Sequence, residues 1–233
     1  MRRATIRIVL SLLAATVLMA RPSGGQPIVF RDDFNGTALG PHWLRQPGIT
    51  LEVGGGELRV TRLTLPPGQP DGRGAIGVNL APLQDYRVTT RFDVPPGLRM
   101  GLVFSLVAGG GTHLAQIEVQ YDRFTGETGY MIVAGGSDPA LLPPPPPGYN
   151  EYTLRRIGGR VEFELNGVLA AVLNDRFQTP IDQMRFEFVG TSGMIQPARR
   201  VDYVEIIPSP GPFAVLGILG FGLLRRPARR ARP

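Results

Sequence analysis

The segment from His113 to Asp122 alternates between apolar and polar side chains. One set comprises Ala115, Ile117, Val119 and Tyr121, and the other comprises Gln116, Glu118, Gln120 and Asp122. This period of two indicates a β-strand with one face buried against a core. Amide and carboxylate groups donate and accept the hydrogen bonds that sugar hydroxyls require. The pattern therefore predicts a polar sheet face that is either plainly solvated or binds a carbohydrate, with Gln116, Glu118, Gln120 and Asp122 as the candidate binding residues.

Other residues are weaker candidates for a functional site. The glycines from Gly72 to Gly77 match the spacing of a dinucleotide-binding motif, but no strand precedes them and no helix follows, so we interpret them as a loop entering a strand. Trp43 could stack on a sugar ring, although its place near the start of the domain favours the core. His42 and His113 lack a nucleophile partner. The absence of cysteine excludes disulfides, thiolate nucleophiles and cysteine-based zinc sites.

The net charge of +6 is unevenly distributed along the 233 residues. Nine of the 25 arginines lie in the first 21 or the last nine residues, whereas all 19 acidic residues lie between Asp32 and Glu205. The middle of the chain is therefore mildly acidic. A basic surface is the electrostatic signature of nucleic-acid binding, so this distribution argues against a nucleic-acid partner.

The middle of the chain predicts an all-β protein. Short runs with a period of two recur between turn residues, and Val161, Phe163 and Leu165 alternate with Glu162 and Glu164. Asn166-Gly167 between two such runs is a strong hairpin signal. We expect eleven or twelve strands, no amphipathic helix, and an antiparallel β-sandwich or barrel. The prolines 143–147 should form an extended surface loop rather than a domain boundary.

Both ends of the chain carry targeting patterns. Three arginines precede the apolar stretch Ile8–Ala20, so residues 1–26 are predicted to be a secretory signal peptide and a short linker. Near the other end, the apolar stretch Phe213–Leu224 is followed by five arginines in the last nine residues. Such a cluster would hold that end on the cytoplasmic side of a membrane.

The tail, residues 208–233, resembles the PEP-CTERM sorting signal of exported bacterial proteins. The resemblance rests on a three-residue motif with two prolines, a short hydrophobic helix and terminal arginines: Pro208, Ser209, Pro210, Arg225 and Arg226. It implies a secreted or cell-envelope location, membrane attachment through the C-terminal helix, and recognition by an exosortase-like protease. Ser209 stands where the motif has glutamate, which leaves open whether the tail is cleaved or only anchors the chain.

Residues 27–207 resemble the concanavalin A-like lectin/glucanase superfamily, whose fold is a jelly-roll sandwich. The segments that carry the resemblance are FRDDFNGTALGPHW (30–43), YNEYTLRRIGGRVEFELNGVLAAVL (149–173) and VDYVEII (201–207). The laminarinase and lichenase types carry Glu-x-Asp-x-Glu on such a strand, with the first glutamate as nucleophile and the last as general acid/base. This chain has Glu118, Gln120 and Asp122 instead, so Glu118 and Asp122 are only alternative catalytic residues.

The same resemblance implies a structural calcium as the one possible cofactor. In lichenase-like relatives an aspartate of the last strand helps hold this ion, and Asp202 matches that position. Carboxylate and carbonyl oxygens are the ligands that calcium prefers. The alternative is that Asp202 is an exposed carboxylate at the edge of a sheet.

Three functions remain open at this stage. The chain is expected to be an exported, cell-envelope β-sandwich protein that binds a polysaccharide or matrix glycan without catalysis, or that has a structural surface role without a ligand. The alternative is a degenerate glycoside hydrolase of the laminarinase/lichenase type. A hydrolase requires two nearby carboxylates in an open cleft, whereas a binding protein requires a concave polar sheet and an exposed aromatic ring.

Overall fold

The computed structural model describes residues 29–64, 71–93, 100–108, 111–121, 128–191 and 193–209. These residues form fifteen strands and no helix, which confirms the all-β prediction with more strands than expected. The strands are β1 (Phe30–Asp32), β2 (Leu44–Arg45), β3 (Ile49–Gly54), β4 (Glu57–Leu63), β5 (Asp71–Leu83), β6 (Tyr86–Asp93), β7 (Met100–Ala108), β8 (Thr112–Tyr121), β9 (Thr128–Ala134), β10 (Ala140–Leu142), β11 (Tyr149–Ile157), β12 (Arg160–Leu165), β13 (Val168–Asn174), β14 (Ile181–Thr191) and β15 (Gly193–Pro208).

The strands form two antiparallel sheets. Sheet 1 has the order β13-β12-β11-β6-β15-β4-β3, and β1 pairs with β15 as an eighth strand. Sheet 2 has the order β10-β9-β8-β7-β14-β5-β2. About half of the neighbouring strand pairs are consecutive in sequence, and the others join distant segments. The last strand, β15, lies inside sheet 1 and pairs with β1, β4 and β6.

The inward faces of the two sheets share one hydrophobic core. Phe92 of β6 stacks on Tyr152 of β11 with ring centroids 3.9 Å apart. On sheet 2, Phe186 of β14 lies 4.9 Å from Phe104 of β7 and 6.2 Å from Trp43. Aromatic side chains bury large areas and prefer such offset or tilted contacts. The core therefore fixes which alternate residues of each strand point outward.

Trp43 is a core residue, as the sequence predicted, with 6% of its surface exposed. Its indole Nε1 donates a hydrogen bond of 2.7 Å to Oδ2 of Asp32, and Oδ1 of Asp32 accepts the backbone N–H of Phe34 at 2.8 Å. A buried indole N–H usually needs such a partner. These hydrogen bonds hold the first residues of the sandwich in place. Trp43 is buried and does not provide an exposed surface on which a ligand could stack.

One turn prediction and one loop prediction are confirmed, and a second loop prediction is wrong. Asn166 and Gly167 have φ values of 51° and 76° and connect β12 to β13, as expected for a type I′ turn. The prolines 143–147 lie outside any strand, between β10 and β11, and are mostly exposed. The glycines 72–77, however, lie within β5 rather than in a loop before it.

A buried ion pair anchors the loop after β13. Nη2 of Arg156 lies 3.1 Å from Oδ2 of Asp175, and neither side chain has any exposed surface. Oδ1 of Asp175 accepts the backbone N–H groups of Phe177 and Gln178, at 3.0 and 3.2 Å. Nη1 of Arg156 donates to the carbonyl oxygen of Thr179 at 2.6 Å. The pair therefore holds β11 against the segment that leads into β14.

The predicted signal peptide and nearly all of the predicted tail lie outside the described residues. Pro208 is the last residue of β15, and the N–H of Ser209 donates to the carbonyl oxygen of Asp85 at 3.1 Å. Pro210, Arg225 and Arg226 lie beyond the described part. Within that part, no helix is long and apolar enough to cross a membrane.

Candidate functional site

Strand β8 positions the first two predicted binding residues on the outward face of sheet 2. Ala115 and Ile117 are buried in the core, with 1% and 0% of their surface exposed. Gln116 and Glu118 point the other way and are half-buried, and Nε2 of Gln116 donates a long hydrogen bond of 3.4 Å to Oε2 of Glu118. The side chain of Gln120 and the whole of Asp122 lie outside the described part, so their positions stay a prediction.

The strand register places further residues beside Gln116 and Glu118. The row through Gln116 contains Gly77, Arg185, Ser105 and Val133. The row through Glu118 contains Ala75, Glu187, Val103, Met131 and Leu141. We call these two rows the Gln116 face. Arg185 and Glu187 of β14 form an ion pair with Nη2 and Oε1 3.5 Å apart.

A buried hydroxyl lies in the middle of this face. Ser105 occupies the position between Arg185 and Gln116 in the register, has no exposed surface, and its Oγ has no hydrogen-bond partner. A buried hydroxyl without a partner is unfavourable and is uncommon in native proteins. The hydroxyl is thus an unused donor and acceptor beneath the centre of the Gln116 face, which a ligand reaches only if the side chains above it move.

Gly77 allows Arg185 to lie across the neighbouring strand. A Cβ atom at this position would lie 3.1 Å from Cγ of Arg185 and 3.0 Å from the carbonyl oxygen of Met184. Both distances are tighter than ordinary van der Waals contacts between carbon and its neighbours. The absence of a side chain at Gly77 therefore helps position the one arginine among the described residues of the Gln116 face.

The face is polar at its centre and apolar at its two margins. Leu44 of β2 pairs with Gly77 and is 51% exposed, whereas Leu141 of β10 is 79% exposed at the opposite margin. None of the described side chains on the face is aromatic. The expected aromatic ring is therefore not met in the described part, where exposed leucines provide the apolar surface.

Of the two alternative catalytic carboxylates, the structure describes only Glu118. Retaining hydrolysis requires two carboxyl groups about 5–5.5 Å apart. Glu118 is the one acidic residue of β8, and the carboxylate in its row is Glu187, which lies beyond the intervening strand β7. Two strand spacings separate their backbones by about 10 Å. Asp122, the alternative catalytic partner of Glu118, lies outside the described residues.

Many charged side chains on the outward face of sheet 1 form ion pairs with one another. Arg31 pairs with Glu205 at 2.9 Å, and Arg155 with Glu162 at 3.7 Å. The ring of Tyr149 lies under the guanidinium groups of two arginines, Arg91 and Arg200, at 5.1 and 4.9 Å. Burial, together with a hydrogen bond donated to Glu57, raises the pKa of the Tyr149 hydroxyl. This tyrosine is therefore already engaged by cations and does not offer a free stacking surface.

Asp202, the residue predicted for a structural calcium, also belongs to sheet 1 and forms an ion pair with Arg91. Its Oδ2 accepts a hydrogen bond of 2.8 Å from Nη1 of Arg91. Among the described residues, no group of three or more acidic or histidine side chains could hold a metal ion. The arginine engages one carboxylate oxygen of Asp202, and the structural calcium at this residue stays a prediction.

Sequence reasoning missed Arg185, Glu187 and Ser105. The alternation in MRFEFVG (184–190) already indicated that Arg185 and Glu187 share one face of a strand. What it could not reveal is that β14 lies beside β7, one strand from β8. Ser105 carried no signal, because its strand reads as a continuous apolar run in which one serine is unremarkable.

Comparisons with known proteins identify the fold. No family model matches the chain, and no curated protein matches it. Among solved structures, the laminarinase from Rhodothermus marinus has a TM-score of 0.61 and 14% identity, over 79% of this chain and 98% of that one. The CBM2 module of the Lactobacillus casei BL23 phage J-1 evolved Dit has a TM-score of 0.58 and 14% identity, over 78% and 96%.

A third similar structure is larger than this chain. The GlcNAcα1-4Gal-releasing endo-β-galactosidase from Clostridium perfringens has a TM-score of 0.59 and 12% identity, over 80% of this chain and only 64% of its own. Together these neighbours are concanavalin A-like jelly-roll glycoside hydrolases and carbohydrate-binding modules. At such low identity they establish a jelly-roll sandwich for this chain, as the resemblance implied, and its activity is a separate question.

Proposed function

We propose that this chain is an exported, cell-envelope-associated protein that binds a polysaccharide or matrix glycan, without catalysis, through the Gln116 face. The observation that carries the proposal is the arrangement of Gln116, Glu118 and Arg185 around the unpartnered hydroxyl of Ser105. Their amide, carboxylate and guanidinium groups provide donors and acceptors on one sheet face, while leucines at both margins provide apolar contacts. The glycan-acting and glycan-binding neighbours of the same fold support this choice of ligand.

The choice of face rests on the contrast between the two sheets. Sheet 1 presents several ion pairs that a ligand would have to break before binding, whereas the described residues of the Gln116 face form one such pair, Arg185–Glu187. Sheet 2 presents a buried hydroxyl without a partner and an amide whose hydrogen bond of 3.4 Å is long. Replacing a long hydrogen bond by a better one to a ligand costs little.

We expect that single substitutions on the Gln116 face weaken glycan binding about tenfold. Gln116→Ala and Arg185→Ala each remove hydrogen bonds, whose net contribution is about 1–1.5 kcal/mol, and a loss of 1.4 kcal/mol is a factor of ten in Kd. Isothermal titration of the full-length chain with laminarihexaose and cellohexaose would measure the change. Arg155→Ala, on the outward face of sheet 1, is the matched control and should bind like the wild type.

Equal affinities for Gln116→Ala, Arg185→Ala and the wild type would contradict the choice of face. If the wild type binds neither of the two oligosaccharides, the proposed class of glycan is wrong. The same samples also address the hydrolase alternative. Reducing ends released from laminarihexaose by the wild type, and no longer released by Glu118→Gln, would replace the binding proposal by the degenerate laminarinase-type activity.

The proposed envelope location rests on the two ends of the chain and has its own test. Truncation after Ser209 removes the hydrophobic stretch and the arginine cluster but leaves β15 intact. We expect the full-length chain in the membrane fraction of the envelope and the truncated chain in the medium, as measured by immunoblotting. The double variant Arg225→Lys, Arg226→Lys keeps the positive charge and should behave like the wild type. Equal retention of the truncated chain would show that the tail is not a sorting or anchoring signal.

A further inference from the structure

A pocket of about 390 Å³ opens near one end of the same outward face of sheet 2. Strands β5, β7 and β14 meet there beside the turn at Gly111. Its wall includes the polar side chains of Asn79, Asp182 and Gln183, and its apolar part includes Val107 and Ala108, which are 1% and 3% exposed. A concave site with an apolar floor and a few convergent polar groups is the usual form of a small-ligand site.

The two amides of the pocket are held in one orientation. Asn79 and Gln183 are cross-strand partners, and Nε2 of Gln183 donates a hydrogen bond of 3.0 Å to Oδ1 of Asn79. This bond leaves the Asn79 amide nitrogen as a donor and the Gln183 carbonyl oxygen as an acceptor. Neighbouring hydroxyls of a sugar ring can donate to one such group and accept from the other. The amide pair therefore matches two adjacent hydroxyls better than it matches a single charged group.

Asp182 joins the amides because the strand is irregular at this point. The register between β14 and β5 shifts between Ile181 and Gln183. Such irregularities re-aim a side chain and are frequent next to binding sites. Asp182 adds a carboxylate acceptor, and none of the wall residues that the structure describes is an arginine. The charge of the pocket therefore disfavours an anionic sugar such as a uronic acid or a sulfated residue.

The pocket lies close to the Gln116 face along the strands. Asn79 and Gln183 come two residues from Gly77 and Arg185 in the same register, so they lie on the same side of the sheet about 7 Å further along. That distance is on the scale of one sugar residue. One sugar unit of an oligosaccharide could thus contact Arg185 while the next sugar unit contacts Asn79.

We propose that this pocket binds a neutral hexopyranose residue of the glycan that occupies the Gln116 face. This inference rests on the proposed function and extends it by one sugar position and by a preference for uncharged glycans. The amide pair binds adjacent hydroxyls, and Asp182 accepts a further hydroxyl hydrogen.

The test compares the full-length wild type with the double variant Asn79→Ala, Gln183→Ala by isothermal titration. We expect the variant to bind laminarihexaose at least tenfold more weakly, whereas wild-type affinity for the anionic hexamer of galacturonic acid is below detection. Asp182→Asn should weaken laminarihexaose binding less than the double variant, because the asparagine oxygen still accepts a hydrogen bond. Thermal unfolding of each variant within about 2 °C of the wild type would show that the fold is unchanged, as expected for surface substitutions.

The outcomes separate this inference from the function on which it rests. Unchanged laminarihexaose affinity in the double variant, together with a loss in Gln116→Ala, would overturn the pocket and leave the Gln116 face standing. Binding of the anionic hexamer as tight as that of laminarihexaose would overturn the preference for a neutral sugar. If the wild type binds neither laminarihexaose nor cellohexaose, both proposals are overturned.

Discussion

Replacing Asp175 by alanine is expected to destabilise the sandwich by about 3–5 kcal/mol, because the substitution leaves the buried guanidinium of Arg156 without its counterion. The same change removes the acceptor of two backbone N–H groups, those of Phe177 and Gln178. The free energy of unfolding of a small protein is of the order of 5–15 kcal/mol. This single change should therefore remove a large part of it. Urea unfolding followed by tryptophan fluorescence would measure it through the buried Trp43.

The matched control for this prediction is an exposed ion pair. Asp202→Ala breaks the pair with Arg91, whose side chains are 31% and 46% exposed, and should cost no more than about 1 kcal/mol. Equal losses in the two variants would show that burial is not what makes Arg156–Asp175 important. If Asp175→Ala does not fold, Asp175→Asn keeps one acceptor oxygen, and its unfolding midpoint should lie well below that of Asp202→Ala.

Replacing Phe186 by alanine is expected to cost about 3–5 kcal/mol, the range for deleting a buried aromatic ring. The side chain has no exposed surface and contacts both Phe104 and Trp43 in the core. Its strand neighbours Arg185 and Glu187 point outward, so the packing of Phe186 also fixes the orientation of the Gln116 face. We therefore expect weaker laminarihexaose binding in addition to the loss of stability.

Phe186→Leu separates the two effects. Leucine fills most of the space and should cost clearly less than alanine, because the remaining cavity is smaller. Its urea midpoint should lie between those of the wild type and Phe186→Ala. A leucine variant as unstable as the alanine variant would indicate that the aromatic contacts, rather than the filled volume, hold β14 in place.

Much of the fold could be predicted from the sequence, because the local patterns of alternation and turns match the faces that the core buries. The alternation of Val161, Phe163 and Leu165 predicts β12, and Asn166-Gly167 predicts the hairpin to β13. The glycines 72–77 failed as a loop signal. Glycine is disfavoured within strands, but Gly77 lies where the side chain of Arg185 crosses β5. The glycine at this position is explained by Arg185, which becomes its neighbour only in the folded structure.

The candidate site was predictable only along its own strand. The alternation of β8 placed Gln116 and Glu118 on one face without any knowledge of the neighbours. Arg185 and Ser105 join that face through pairing between strands that are far apart in sequence, and a single sequence does not contain the pairing. The pocket at Asn79 depends further on a register shift, which short sequence patterns do not encode.

The position of β15 has a consequence for how the protein reaches its folded state. Residues 193–208 pair with β1, β4 and β6 in the interior of sheet 1, so this sheet cannot be completed before the end of the domain has been made. Pairing of segments so distant in sequence is slow compared with local structure formation. For a chain exported as we propose, the missing last strand keeps sheet 1 incomplete during synthesis. The late strand would thus help maintain a form able to pass through a translocation channel, and folding would be completed on the far side of the membrane.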